Sequence, residues 1–147
     1  MALKNRLHME FPSIASNVAL TRVTLASFAM QLEFNLGELE EIRVAVSEAV
    51  SNAVIHAYPD DVGTVVVNAM IDGDTLEIEV IDEGRGIEDL DLARTPAFST
   101  DPERMGLGLV FMESFMDQMN IESKPNLGTH VIMKKRPECE KNVSHSL

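Results

Sequence analysis

Tryptophan is absent from this 147-residue chain, and cysteine and tyrosine occur once each. The single cysteine, Cys139, lies in a polar tail, so neither an intrachain disulfide framework nor a structural zinc site can be assembled. That usage fits a reducing compartment, and a cytoplasmic location is expected. No run of 18 uncharged apolar residues occurs, so no membrane span is expected. The first ten residues carry Lys4, Arg6 and His8 and lack the apolar core of a secretory signal. Basic residues are scarce as well: 12 Lys and Arg stand against 24 Asp and Glu, giving a formal net charge of -12. Such a field repels a phosphate backbone, which excludes direct nucleic-acid binding from the expected functions.

What is present is an ordinary globular composition, 45% apolar with six Phe. The length suits one domain, expected over residues 1–136, with a disordered tail at 137–147. Residues 6–11 alternate Leu7, Met9 and Phe11 against Arg6, His8 and Glu10, the period of a half-buried strand. A helix is expected from Ser16, as N-cap, to Leu32. Its stripe is Ala19, Val23, Ala26 and Met30, widened by Leu25, Phe28 and Ala29. The clearest helix runs from Gly37 to Tyr58, with Leu39, Ile42, Val46, Ala49, Ala53 and Ala57 in one stripe and Pro59 after its end. Residues 64–72 and 75–82 form a hairpin around Gly73. The aperiodic stretch 87–105 is a lid, with a short helix near 88–94. A helix over 106–118 and strands at 119–124 and 129–135 complete the chain. This order predicts an α+β fold, a two-layer sandwich in which a mostly antiparallel mixed sheet carries its helices on one face.

Three constellations can carry chemistry. Glu48 and Asn52 stand one helical turn apart and project to one side, suited to a general base and an oxygen ligand for magnesium, or else to a solvated polar stripe. Strand parity puts Asp82 on the face of Leu76, Ile78 and Val80, so it points inward. A buried carboxylate needs a donor, which an adenine amine can supply, and Gly84 and Gly86 after it let the backbone turn and approach a flat base. The alternative is a hairpin turn closed by Asp and Gly. Gly106-Leu-Gly108 opens a helix, where free N–H groups bind anions, or serves as a flexible joint. Arg104 before it either reaches a terminal phosphate or is a surface arginine. His56 reads as a pocket-edge or helix-end histidine, since no second His or Cys stands at ligand spacing. The Met residues at 105, 112, 116 and 119 read as core filling.

The sequence order of these signals is specific: Glu-x-x-x-Asn on a helix, Asp-x-Gly-x-Gly after a strand, a lid, then Gly-x-Gly opening a helix. It resembles the Bergerat ATP-binding fold of histidine kinases, Hsp90, type II topoisomerases and mismatch-repair ATPases. Across roughly residues 5–136, the strings SEAVSNAVIHAYP, DEGRGIEDLDLARTPAFST and GLGLVFMESFMD are similar to the sporulation serine kinases that also act as anti-sigma factors. That resemblance implies ATP and Mg2+ as cofactors. Glu48 would be the general base for a protein serine, Asn52 the magnesium ligand and Asp82 the adenine-amine acceptor, with Gly84 and Gly86 shaping the base pocket. Gly106 and Gly108 would cradle phosphates, Ser99, Thr100 and Arg104 would belong to the lid, and Arg22 would face protein partners. The implied partners are a sporulation sigma factor (sigma F), an anti-anti-sigma factor carrying the target serine, and a second copy in a homodimer.

Three alternatives accompany this reading. A histidine-kinase catalytic domain shares the pocket, but no dimerisation helix pair with a phosphoacceptor histidine is present, and His8 sits in a strand-like segment. A related stress-response switch kinase would have other partners. A non-catalytic ATP-binding module would have no use for a carboxylate such as Glu48 beside the phosphates.

Overall fold

The computed structural model describes residues 3–59, 61–86 and 105–145, and within these it describes side chains as far as 86 and from 108 to 141. The lid and its short helix near 88–94, with Ser99, Thr100 and Arg104, lie outside the described residues. Strand β1 (Lys4–Pro12) leads into helices α1 (Ser16–Ala29) and α2 (Leu36–Asn52), the latter continuing as a π-helical turn over Ala53–Ala57. Strands β2 (Thr64–Asp72) and β3 (Thr75–Asp82) follow, then helix α3 (Met105–Phe115), strands β4 (Gln118–Lys124) and β5 (Gly128–Lys135), and helix α4 (Glu138–His145).

The five strands form one sheet in the order β1-β2-β3-β5-β4. Among the described residues every pairing is antiparallel, where a mostly antiparallel mixed sheet was expected, and the α+β sandwich with helices on one face holds. Alternation fixes the faces: Val65, Val67, Ala69 and Ile71 on β2, and Leu76, Ile78 and Val80 on β3, point into the core. The helices close over them with Leu25, Ile42, Val46, Leu109 and Met112, all essentially inaccessible to solvent. Each such side chain contributes about 1.5–3 kcal/mol by leaving water. Met112 and Met116 are buried and Met119 half-buried, consistent with core filling.

Helix α1 departs from its expected reading in two ways. Its N-cap is Ala15, which makes no side-chain capping bond, and Ser16 is already helical. The buried face runs through Thr21, Leu25 and Ala29, so Val23 (60% exposed) and Met30 (67% exposed) of the expected stripe face outward. Two apolar faces compete on this helix, and the sheet takes the one with the larger Leu25 and Phe28. Helix α2 begins with a capping box: the Glu38 N–H donates to Asn35 Oδ1 (2.8 Å) and the Asn35 N–H to Glu38 Oε1 (2.9 Å). The tail, expected to be disordered, enters helix α4 at Glu138, whose N–H donates to Glu38 Oε2 (2.8 Å).

Candidate functional site

Strand β3 delivers Asp82 to the core face as its last residue, only 8% exposed. Burial pushes its carboxyl above the usual carboxylate range, against backbone N–H donors from Gly84 (3.0 Å) and Thr129. Thr129 is the cross-strand partner of Asp82 on β5. An ionised carboxylate offers about four acceptor positions, so two donors leave capacity directed into the adjoining cleft.

The loop after Asp82 is moulded onto the end of the long helix. The Arg85 N–H donates to the Ala57 carbonyl (2.8 Å), and a side chain at residue 84 would collide with that same carbonyl, so only glycine fits at Gly84. The Tyr58 hydroxyl accepts from the Glu83 N–H (2.8 Å) and donates to the Thr64 carbonyl (2.9 Å), tying the loop to β2. Burial, with the Asp82 and Glu83 charges adding to it, outweighs the Glu83 N–H and keeps this phenol protonated above its usual range. The π-helical turn is what presents Ala57 here. It buries His56 and Ala57 and leaves Ile55 42% exposed. Such turns recur at functional sites because they offset the register of the residues beyond them.

Beside Asp82 the described residues enclose a narrow cleft of about 40 Å3. Ala49 and Ala53 of α2, Val80, Leu109, Ile121 and Val131 make its apolar walls. Asp82, Thr129, His56 and Asn52 supply the polar groups, with Arg85 and Gly86 at the loop side. An apolar slot ending in a buried carboxylate fits a flat base that presents an amine.

Glu48 and Asn52 are both half-buried, one turn apart on α2. A β-carbon at residue 108 would lie 2.8 Å from Glu48 Oε2, so the glycine there admits the carboxylate onto the first turn of α3. Gly106 falls in that same turn, where N–H groups without intrahelical partners make an anion site. One end of the molecule therefore gathers Glu48, Asn52, Asp82, Gly84, Gly86 and Gly108. Arg22 stands elsewhere, half-buried on α1 and outside the cleft lining.

Sequence reasoning missed Thr129 and the apolar walls. Thr129 depends on the pairing of β3 with β5, which no local pattern announces. The alanines at 45, 49, 53 and 57 were a visible signal, because small residues at each turn leave room beside a helix.

Residues 11–135 match the family described as histidine kinase-like ATPase domain. The chain is 45% identical over 136 residues to the anti-sigma F factor of Anoxybacillus flavithermus, covering 90% of this chain and 93% of that one. It is 44% identical to the anti-sigma F factor of Clostridium acetobutylicum, covering 91% and 95% respectively. Identity to the Bacillus subtilis anti-sigma F factor is 43%, over 90% of this chain and 93% of that one. Among solved structures, the RsbU and RsbW domains of a Mycobacterium tuberculosis protein superpose with a TM-score of 0.66 at 24% identity, covering 90% of this chain and 32% of that one. A blue-light activated histidine kinase of Erythrobacter litoralis gives 0.57 at 24% identity, covering 75% and 34%. These two likenesses establish the fold.

Proposed function

This chain belongs to the anti-sigma F factor family of histidine kinase-like ATPase domains, and from that premise we propose that it binds and inhibits a sporulation sigma factor, sigma F, and as an ATP-dependent serine kinase phosphorylates and inactivates the anti-anti-sigma factor. The observation that carries the reading is one end of one cleft. A buried acceptor, Asp82, closes the apolar slot, and a carboxylate, Glu48, lies against the glycine-lined start of a helix.

Bound Mg-ATP would supply the phosphoryl group. Asp82 would accept from the adenine amine, and Gly84 and Gly86 would leave room for the base. The first turn of α3, at Gly106 and Gly108, would hold phosphates, and the Asn52 carboxamide oxygen would hold magnesium, a cation that takes few protein ligands and keeps several waters. Glu48 would take the proton of the attacking serine hydroxyl as its oxygen bonds to phosphorus and ADP departs. Ser99, Thr100 and Arg104 belong to the lid in this reading. Arg22 would face the protein partners of a cytoplasmic homodimer, beside the outward apolar residues Leu20 (53% exposed) and Val23.

The reading is tested with labelled ATP, the anti-anti-sigma factor and the sigma factor. Label is expected on a serine of the former and ATP-dependent co-elution with the latter, with Arg22→Glu losing the co-elution while ATP binding is retained. Absence of both transfer and co-elution from the intact protein refutes it.

A further inference from the structure

Strand alternation on β5 places Val131, Met133 and Lys135 on the core face, and the last of these breaks the pattern of apolar residues inside. Lys135 is 5% exposed, whereas its neighbour Lys134 faces outward toward Glu77 (3.8 Å). A buried ammonium is costly unless its hydrogens are matched. Here Nζ donates to the carbonyl of Phe115, the last residue of α3 (2.6 Å), and lies 3.6 Å from Glu41 Oε2 on α2. Asp117 is near enough that the Lys135 charge helps to lower its carboxyl. The negative end of the α3 dipole favours a cation at this place.

The positions joined are significant. Glu41 precedes Glu48 by seven residues and Phe115 follows Gly108 by seven, so each interval is two helical turns, roughly 10 Å, returning to nearly the same face. Helices α2 and α3 run antiparallel and pack along their facing sides, with Glu48 against Gly108 near one end and Glu41 and Phe115 joined through Lys135 near the other. The Lys135 junction uses no residue of the cleft. Apolar packing between the helices is non-directional, whereas a hydrogen bond and an ion pair at the far end fix tilt and slide.

We propose that Lys135 is a positioning residue for phosphoryl transfer, holding α3 against α2 so that Glu48 and the phosphate-binding turn keep their mutual placement. This rests on the kinase reading above. The adenine end of the cleft, built from β3, β5 and the π-helical turn, lies outside this clamp. Displacements of an ångström at reacting groups cost up to about a hundredfold in rate, even when the altered residue is distant.

The test compares Lys135→Met, which keeps the apolar stem, with Lys135→Arg, which keeps the charge, in the intact protein. Three quantities are read: affinity for adenosine, affinity for Mg-ATP, and transfer to the anti-anti-sigma factor at saturating ATP. Lys135→Met is expected to hold adenosine within about twofold of wild type, to weaken ATP binding relative to adenosine, and to slow transfer by roughly tenfold or more, with Lys135→Arg recovering most of the rate. A folded Lys135→Met with wild-type transfer, or one losing adenosine and ATP affinity equally, overturns the proposal, since the lysine then serves stability alone. Should Lys135→Met fail to fold, Glu41→Gln at the more exposed partner decides: a severalfold slower transfer supports the clamp and an unchanged rate overturns it. If wild type transfers no phosphate, the kinase reading falls, while the ratio of ATP to adenosine affinity in the variants still decides whether the clamp acts on the phosphate turn.

Discussion

The two ends of the sheet handle polar groups in opposite ways. At the far end, where β5 finishes and α2 begins, Glu38, Asp74, Asp117, Lys135, Arg136 and Lys141 each have a partner within the protein. Glu38, 5% exposed, accepts the N–H groups of Asn35 and Glu138; Arg136 grips one oxygen of Asp74 through Nε (3.0 Å) and a terminal nitrogen (2.7 Å); Lys141 reaches Asp117 (2.6 Å). At the cleft end Asp82 is as deeply buried, but its donors are two backbone N–H groups and the rest of its acceptor capacity opens onto an apolar slot. The same desolvation cost is offset internally at one end and left for a ligand at the other. The difference separates the part of the molecule that holds the fold from the part that acts, and it assigns different failures to substitutions at each end.

The largest effect belongs to the cleft end. Glu48→Gln keeps the side chain's shape against Gly108 and removes the base. Transfer at saturating ATP is expected to fall by roughly a hundredfold or more, with ATP affinity within a fewfold of wild type. Asn52→Ala is expected to differ by weakening Mg-ATP binding as well, because a metal ligand is lost. Calorimetry beside a transfer assay reads both. A Glu48→Gln protein transferring at the wild-type rate would return Glu48 and Asn52 to a polar stripe, and the contrast between the two ends would then concern ligand binding without chemistry.

Much of this contrast was legible in the residues, and the parts that were not share a physical cause. Strands β2 and β3 fall at 64–72 and 75–82, because alternation and a Gly73 turn are local signals. The inward aspect of Asp82 followed from the same parity. The sheet order was not legible, and Thr129 beside Asp82 was hidden with it, since pairing of β3 to β5 is a long-range choice. The outward turn of Val23 and Met30 was missed because α1 carries two apolar faces and only packing chooses between them. Helix α4 was missed for the opposite reason. A polar segment has no hydrophobic pattern to read, and what holds it is Lys141 on Asp117 and its own first N–H on Glu38.

An intermediate effect is expected from Asp82→Asn. The amide can still accept the Gly84 N–H but loses the charge that a ligand amine would meet, so ATP and adenosine affinity should fall together, by about ten- to a hundredfold. The unliganded protein should respond in the other direction. Burial raises the Asp82 carboxyl above its unfolded value, so its contribution to stability is fully present below about pH 4 and is lost as pH rises through the raised value. The Asn variant lacks that loss, and its melting temperature should gain on wild type as pH rises from about 4 through the raised value. A parallel pH profile for the two proteins, or an unchanged affinity for adenosine, would show that Asp82 is satisfied as the far-end groups are.

The smallest effect is expected at the far end, from Asp117→Asn. Burial alone would raise the Asp117 carboxyl, but the hydrogen bonds from Lys141 and the Arg136 N–H (2.8 Å), with the Lys141 and Lys135 charges, outweigh it and hold the group below the usual carboxylate range. The sign is therefore the reverse of Asp82: the stabilisation is present above the unfolded value, near pH 4, and disappears as pH falls through the depressed one. Its size is limited because the residue stands at the surface, where an ion pair is worth less than about 1 kcal/mol and is screened by salt. Asp117→Asn should therefore melt roughly 1–3 °C below wild type at neutral pH and low salt. The gap should narrow in high salt and close as pH falls through the depressed value, once wild-type Asp117 is protonated too. Affinity for adenosine should not change, since the substitution touches nothing in the cleft. Scanning calorimetry at two salt concentrations, with an adenosine titration, measures all of this. A salt-independent loss of several degrees, or a weakened adenosine site, would mean that the two ends are coupled through the sheet and that the division between them fails.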